Sequence, residues 1–433
     1  MKKIAFYTLG CKVNQSDTAS MEKLFRQAGY GIVDFADEAD IYLINTCVVT
    51  NTGQRKSRQI INRAAKRNPH ALIVVSGCYP QTAAEEVKLI AGVGLIIGNQ
   101  DRAGVVGLVE QAMAKGSAEI LDNVRALSPN TCFEEMHAAS GSDKTRAFLK
   151  IQEGCNQFCT YCIIPYARGP LRSRSLDSIR GEVEALTAAG FREVVLLGIH
   201  LGAYGQEDKD GPALAEAVKA ALSIPTLQRL RLGSLESIEV SDELLDLMAG
   251  DERLQKQLHL PLQSGSDAVL EKMRRPYTTK VYKELLAKIR KKLPDIAITT
   301  DIIVGFPGET EADFLLTMQF AQECGFSKIH IFPFSPRKGT PAAGFSGSVP
   351  EIVKQKRAGE LAEEDRKGHE AYCRSFIGRS MSVLFEQKEG GLWSGFSGNY
   401  LRVYAASDEQ LAGCIRDVVA DELFLDGLKG TLL

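Results

Sequence analysis

Apolar runs of about four to eight residues alternate with stretches of helical period along most of the chain. Residues 4–9, 41–45 and 72–76 are rich in Ile, Val, Leu and Tyr and read as buried strands. Between them, 17–28 and 53–67 carry helical periodicity, closed by Gly29 and Pro69. Strand and helix in succession predict a parallel α/β sheet. From Thr145 six more strand candidates recur with helices between them, at 147–152, 193–198, 230–235, 258–263, 298–304 and 328–334. That rhythm predicts a partial six-strand (β/α) barrel. After a charged helix at 350–374, short strand candidates at 382–385, 401–404 and 415–419 are separated by glycines, as in a small all-β barrel. A mixed polar stretch containing Ser140-Gly-Ser-Asp reads as a linker. The chain thus divides into a first α/β domain at 1–115, a linker at 116–143, a core at 144–373 and a tail barrel at 374–433.

Composition adds exclusions. At 433 residues, 44% hydrophobic and 24% charged, the chain is long enough for several buried cores and ordinary in make-up. A net charge of −2 gives no global basic field, so any nucleic-acid contact must use local patches. No apolar run reaches the ~18 residues of a membrane span. The start, Met1-Lys-Lys-Ile-Ala-Phe-Tyr-Thr, lacks the apolar stretch of a signal peptide. A cytoplasmic location with no membrane partner is the expectation. In a reducing compartment the ten cysteines are metal ligands or core residues rather than disulfides.

Six of those cysteines form two sets. Cys155, Cys159 and Cys162 lie in Gly154-Cys-Asn-Gln-Phe-Cys-Thr-Tyr-Cys, three thiols on one loop directly after a predicted strand. They offer three of the four protein ligands that a 4Fe–4S cluster takes, leaving one iron open; a zinc site completed from elsewhere is the alternative. Cys11, Cys47 and Cys78 each follow a predicted strand of the first domain almost at once. In a parallel sheet the C-terminal strand ends share one edge, so these three would converge despite their separation in sequence. A second three-thiolate cluster site is one reading, and structural cysteines are the other. Cys132, Cys324, Cys373 and Cys414 show no ligand spacing and read as structural, while His200, His259 and His330 read as packing or hydrogen-bonding residues at strand positions.

Charge near these sets is local. Arg55, Lys56 and Arg58 lie within a few residues of the strand-end edge, and Arg168, Arg172 and Arg174 follow the cysteine loop. Both groups are candidate phosphate contacts. The tail is more acidic than basic, so an RNA face there would rest on Trp393, Phe396 and Tyr400 with Arg402.

The Cys-x3-Cys-x2-Cys loop resembles the signature of radical S-adenosylmethionine (SAM) enzymes. Gly10-Cys-Lys-Val-Asn-Gln-Ser-Asp17, Asn45-Thr-Cys-Val-Val-Thr50 and Ser76-Gly-Cys-Tyr79 resemble the three N-terminal motifs of the radical SAM methylthiotransferase family. The Cys11-Lys-Val-Asn14 form is most similar to the bacterial branch that modifies threonylcarbamoyladenosine in tRNA. The resemblance implies two 4Fe–4S clusters, SAM as methyl donor and radical source, and an electron donor such as flavodoxin or ferredoxin. Gly198, in Leu197-Gly-Ile-His200, Glu236, Gln263, Arg275 and Asp301 resemble SAM-contacting positions. The tail resembles the RNA-binding TRAM domain, although Gly395-Phe-Ser-Gly-Asn-Tyr400 departs from its usual form. The implied reaction is methylthiolation at C2 of threonylcarbamoyladenosine 3′ of the anticodon. Isopentenyladenosine or a ribosomal protein residue are the alternative substrates. A non-catalytic iron–sulfur or RNA-binding protein is the alternative from another class.

Overall fold

The computed structural model describes residues 1–116, 119–137 and 145–433. The first unit runs β1 (Lys3–Thr8), α1 (Lys12–Gln27), β2 (Gly31–Val33), β3 (Ile41–Thr46), α2 (Asn51–Arg67), β4 (Leu72–Gly77), α3 (Cys78–Lys88), β5 (Val93–Ile97), α4 (Val105–Lys115) and β6 (Leu121–Asn123). Its strands form one wholly parallel sheet in the order β2-β1-β3-β4-β5-β6. The two-residue period sorts side chains onto its faces. Ile41, Leu43 and Val74 meet Met21 and Phe25 of α1 and Val105 and Val109 of α4. Tyr42, Ile44 and Val75 meet Ile61 of α2 and Val87 of α3 on the other side. Central β3 is buried at every position, as a strand covered on both faces must be.

The second unit runs β7 (Arg146–Lys150), β8 (Gln152–Glu153), α5 (Ile164–Arg168), β9 (Arg172–Ser173), α6 (Leu176–Ala188), β10 (Glu193–Leu197), α7 (Leu214–Leu222) and β11 (Arg229–Leu232). It continues through α8 (Asp242–Gly250), β12 (Gln257–His259), α9 (Asp267–Lys272), α10 (Thr279–Lys292), β13 (Ala297–Val304), α11 (Glu311–Cys324), β14 (Lys328–Pro333) and α12 (Glu351–Arg374). Strands β7, β10 and β11 form one parallel sheet and β12, β13 and β14 another. A parallel bridge between Ser234 and His259 joins them, giving the expected arc of six strands. Leu149, Val194, Leu196, Leu258, Ile298 and Ile302 point outward into the helix layer, where the largest core lies. On the inner face, Val195 and Leu197 pack against Val13 of α1, which ties the first unit to the arc.

The tail is a closed five-stranded barrel, β15 (Ser380–Glu389), β16 (Leu392–Ser397), β17 (Arg402–Ala406), β18 (Ile415–Phe424) and β19 (Gly427–Leu432), in the order β15-β16-β17-β19-β18. Register shifts at Phe385/Gln387 and Ala420/Glu422 bend the two long strands, as bulges do in small barrels. Of the stretch read as a linker, Ser140-Gly-Ser-Asp lies outside the described residues.

Candidate active site between two cysteine triads

The loop triad follows β7 and β8 at the C-terminal end of the arc. Gly154 opens the loop at φ +80°, and a Cβ there would lie 1.8 Å from the Pro170 carbonyl oxygen. Only glycine fits. The Cys155 N–H donates to the Gly169 carbonyl (3.0 Å) and the Cys162 N–H to the Cys159 carbonyl (2.9 Å), curling the loop. Cys159 is buried, and Cys155 and Cys162 are half-buried. Burial pushes the Cys162 thiol up to about 12 and raises the Cys159 thiol as well, so these two stay protonated unless positive charge comes close. His200, expected to pack or hydrogen-bond, places Nδ1 3.6 Å from Cys155 Sγ and Nε2 2.8 Å from Glu239.

The strand-end triad forms at the opposing sheet edge. Cys11 caps α1 from outside, Cys47 follows β3, and Cys78 opens α3 after β4. Gly10, at φ +100°, would bring a Cβ to 2.9 Å from Cys47 Cβ and 3.1 Å from its sulfur. The absent side chain is what lets the first two cysteines approach. Burial, followed by the neighbouring Cys78, pushes the Cys47 thiol up to about 11. Asn14 stitches the edge, its Nδ2 donating to the carbonyls of Leu9 (2.8 Å) and Thr46 (3.0 Å). Asn99, just beyond β5, donates to the Ala167 carbonyl (2.8 Å) and lies 3.6 Å from Cys78 Sγ. It occupies a fourth strand end, and a polar residue there was the signal that sequence reading passed over.

Among the described residues only His259, Asp301 and His330 bring three ligand atoms within 4.8 Å of one another, and neither cysteine triad does. Thiolates on one tetrahedral zinc, with Zn–S of about 2.3 Å, would lie about 3.8 Å apart. Neither triad is therefore drawn together to the spacing of a single zinc ion.

Two of the expected SAM-contacting residues meet at the loop. Arg275 is buried, ion-paired to Glu236, and places Nη1 3.3 Å from Cys159 Sγ. The Gln263 N–H donates to the Asp301 carbonyl (2.8 Å), and its own backbone is left-handed at φ +71°. The Asp301 carboxylate lies 3.3 Å from His259 Nε2. A Cβ on Gly198 would meet the Leu201 backbone at 2.8 Å, so that turn too requires close approach.

The expected basic loop is not a surface. Arg168, Arg172 and Arg174 are 0%, 3% and 3% exposed, which removes them as phosphate contacts. Arg168 donates to Asp17 (3.1 Å) and Glu153 (2.9 Å) and bonds Asn14. Arg102 pairs with Asp17 (2.5 Å), and Lys150 with Asp17 (2.6 Å) and Glu153 (2.9 Å). This buried network joins the helix after Cys11 to the residue before Gly154. Arg174 is taken up by the Lys150 and Met136 carbonyls (3.1 and 2.7 Å), and Arg172 by the Pro170 carbonyl (3.1 Å). An isolated buried cation costs several kcal/mol, so arginines this deep must find partners inside.

The tail's aromatic face is likewise committed inward. Trp393 is 4% exposed and belongs to the barrel core with Val383, Phe385 and Val403. Phe396 and Tyr400 stack on each other, centroids 4.7 Å apart, beneath Arg146 and Arg231 of the arc. Arg402 leans on Asp426 (3.4 Å). By contrast Arg55, Lys56 and Arg58 on α2 are exposed, with Arg58 Nη1 donating to the Tyr79 hydroxyl (3.2 Å). No helix is long and apolar enough to cross a membrane among the described residues.

Residues 3–98 match the family described as "Uncharacterized protein family UPF0004", and residues 149–321 match the "Radical SAM superfamily". The threonylcarbamoyladenosine tRNA methylthiotransferase MtaB of Bacillus subtilis is 40% identical over 420 residues, 96% of this chain and 93% of that protein. The tRNA-2-methylthio-N(6)-dimethylallyladenosine synthase of Fusobacterium nucleatum is 37% identical over 398 residues, 89% of this chain and 88% of that protein. Among solved structures, the radical SAM methyltransferase TsrM of Kitasatospora setae shares the fold, with a TM-score of 0.57 at 15% identity over 79% of this chain and 74% of that one. With identity of this level running through both the strand-end edge and the cysteine loop, this chain belongs to the radical SAM methylthiotransferases, enzymes that use a 4Fe–4S cluster and SAM.

Proposed function

We propose that this enzyme methylthiolates C2 of N6-threonylcarbamoyladenosine 3′ of the anticodon in tRNA. The observation that carries the reading is the 40% identity to a threonylcarbamoyladenosine enzyme over 96% of the chain. The second reading, dimethylallyladenosine as substrate, draws on a relative at 37% over a smaller share, 89%.

In this proposal Cys155, Cys159 and Cys162 hold the cluster that binds SAM, and Cys11, Cys47 and Cys78 hold a second 4Fe–4S cluster. When bound, these groups supply the methylated sulfur and the carbon radical that an aryl C–H bond demands, chemistry that no side chain can provide. The chain's own part is to hold and orient. Arg275, with Glu236 and Cys159 as its present partners, would take the SAM carboxylate, for which a guanidinium offers paired donors. Gly198, Gln263 and Asp301 would line the rest of the SAM site. The first unit would carry the sulfur-donating site, the six-strand arc the radical site, and the tail a TRAM-like module. A flavodoxin- or ferredoxin-type donor and a cytoplasmic location complete the proposal.

Nucleosides from tRNA of cells with and without the gene decide the substrate by mass spectrometry. Loss of the methylthio group from threonylcarbamoyladenosine is expected. Loss from isopentenyladenosine would favour the second reading, and loss from a ribosomal protein alone would overturn both. Anaerobic reconstitution should give about eight irons per chain, halved by alanine at either triad. A wild-type content of four would remove the second cluster.

Phosphate contacts fall to Arg55, Lys56 and Arg58, the exposed cations beside Cys47. Neutralising all three should weaken tRNA binding and lower the slope of log K against log salt by roughly one unit per lost contact. An unchanged slope would place the RNA elsewhere.

A further inference from the structure

The rim between the two triads carries large apolar side chains in the open. Phe158, Tyr166 and Val49 are 45%, 47% and 49% exposed. The two rings pair edge-to-face, centroids 5.6 Å apart at 80°. Phe158 sits immediately before Cys159 in a left-handed conformation, φ +47°, that a bulky residue avoids without cause. That turn sends its ring outward, whereas Tyr161 of the same loop packs inward against Val269, Met273 and Phe306. Tyr166 lies on the outer side of α5, whose Ala167, with the capping residue Ile163, packs against Val48 and Cys78 of the strand-end site. The aromatic pair therefore borders both triads.

Exposed cations follow Val48 on the next helix. Arg55, Lys56 and Arg58 are exposed on α2, which begins three residues after Val48 and contains no acidic residue. Glu86 is the carboxylate beside them, and it accepts from Gln54 (3.1 Å) and Tyr79 (3.2 Å). Exposed rings flanked by exposed cations match a single-stranded nucleic acid, whose bases present π-faces and whose phosphates run alongside. Sequence-specific proteins that act on RNA loops use unstacked bases in this way. A nucleotide drawn out of a loop for chemistry also leaves neighbours that have lost a stacking partner.

We propose that Phe158 and Tyr166 form a stacking platform for the unpaired bases that flank the target nucleotide in an RNA loop. The proposal rests on the tRNA reading above and adds to it the surface that engages the loop. The pair's role is to position RNA rather than to react.

The test uses full-length enzyme, reconstituted anaerobically, and tRNA from a strain lacking the gene. Phe158→Ala and Tyr166→Ala should each weaken tRNA binding by about 5- to 150-fold, the range of one lost base stack. Tyr166→Trp should restore binding, because any flat ring serves. The salt slope should stay at its wild-type value in all three variants, unlike that of the α2 variants. Iron content and SAM cleavage without tRNA, measured on Tyr166→Ala, report whether the loop is intact. Equal tRNA affinity in wild type and both alanine variants would overturn the platform and leave the tRNA reading standing. Wild-type enzyme that fails to bind tRNA would overturn both. Unchanged tRNA affinity together with slower reduction by a flavodoxin, but not by dithionite, would assign the surface to a protein donor and sink the proposal.

Discussion

Cys159→Ala is expected to abolish reductive cleavage of SAM to 5′-deoxyadenosine, whereas Cys47→Ala is expected to retain it and still yield no methylthiolated tRNA. The asymmetry follows from placement. Cys159 is buried at the mouth of the arc, 3.3 Å from Arg275, in the group assigned to SAM. Cys47 stands at the opposing edge, against Gly10 and beside Cys78. Each variant should keep about four irons, those of the untouched triad. Product analysis by liquid chromatography, with iron determined on the same samples, separates the two roles. Equal loss of SAM cleavage in both variants, with four irons retained in each, would show that the triads do not divide the work.

Arg168→Met should be the most damaging change outside the cysteines, with a stability loss of about 3–5 kcal/mol, the usual cost of breaking a buried ion pair from one side. Arg168 is wholly buried and serves Asp17, Glu153 and Asn14 at once. Burial by itself would raise the Asp17 carboxyl, but Arg102, Lys150 and Arg168 outweigh it and hold it below the usual range. Glu153 is held well below its ordinary value in the same way: burial raises it, and Arg168, Lys150 and Arg102 overcome that. A carboxylate depressed by folding contributes stability that is complete above its unfolded value, about 4, and is lost as pH falls through its folded value. Without Arg168 both carboxyls move up, and acid then relieves the uncompensated charge. The gap in melting temperature between wild type and variant should be widest near pH 8 and narrow toward pH 5. A gap that holds constant or grows on acidification would mean that the loss is one of packing. Because the network spans both sites, iron should fall at both triads together.

Much of the fold was legible because the arc strands are short apolar runs separated by helices, and all six emerged within a few residues of their expected positions. Strands β2 and β6 have three residues each, too few to express a two-residue period, and Gly94 interrupts β5. In the tail, three of five strands were readable and pointed to a small barrel, while β16 and β19, which complete its closure, carry no clear signal of their own. That closure is what turns Trp393 inward.

The cysteines were legible because like residues recurred at strand ends. The arginines after the loop were misread for a physical reason. A sequence displays a charge but not its partner, and Asp17 lies 151 positions from Arg168. Once α1 docks on the arc, a run that looks solvated becomes the interior of a joint. Phe396 and Tyr400 were misread in the same way, since their cationic partners Arg146 and Arg231 belong to strands far upstream.

The tail's grip on the arc bears on how the protein can be dissected. Arg229 donates to the Phe396 carbonyl (3.1 Å) and the Ser382 hydroxyl (3.0 Å), and Arg231 to the Gly398 and Ser397 carbonyls (3.1 and 3.3 Å). Arg146 pairs with Glu386 (2.8 Å). A chain cut before Ser380 would strip these guanidinium groups of their acceptors at the floor of the arc. Lost activity in such a truncation would report a damaged foundation as readily as a missing RNA module. Point changes on the tail's outer surface, which leave the floor sealed, are the cuts that can tell the two apart.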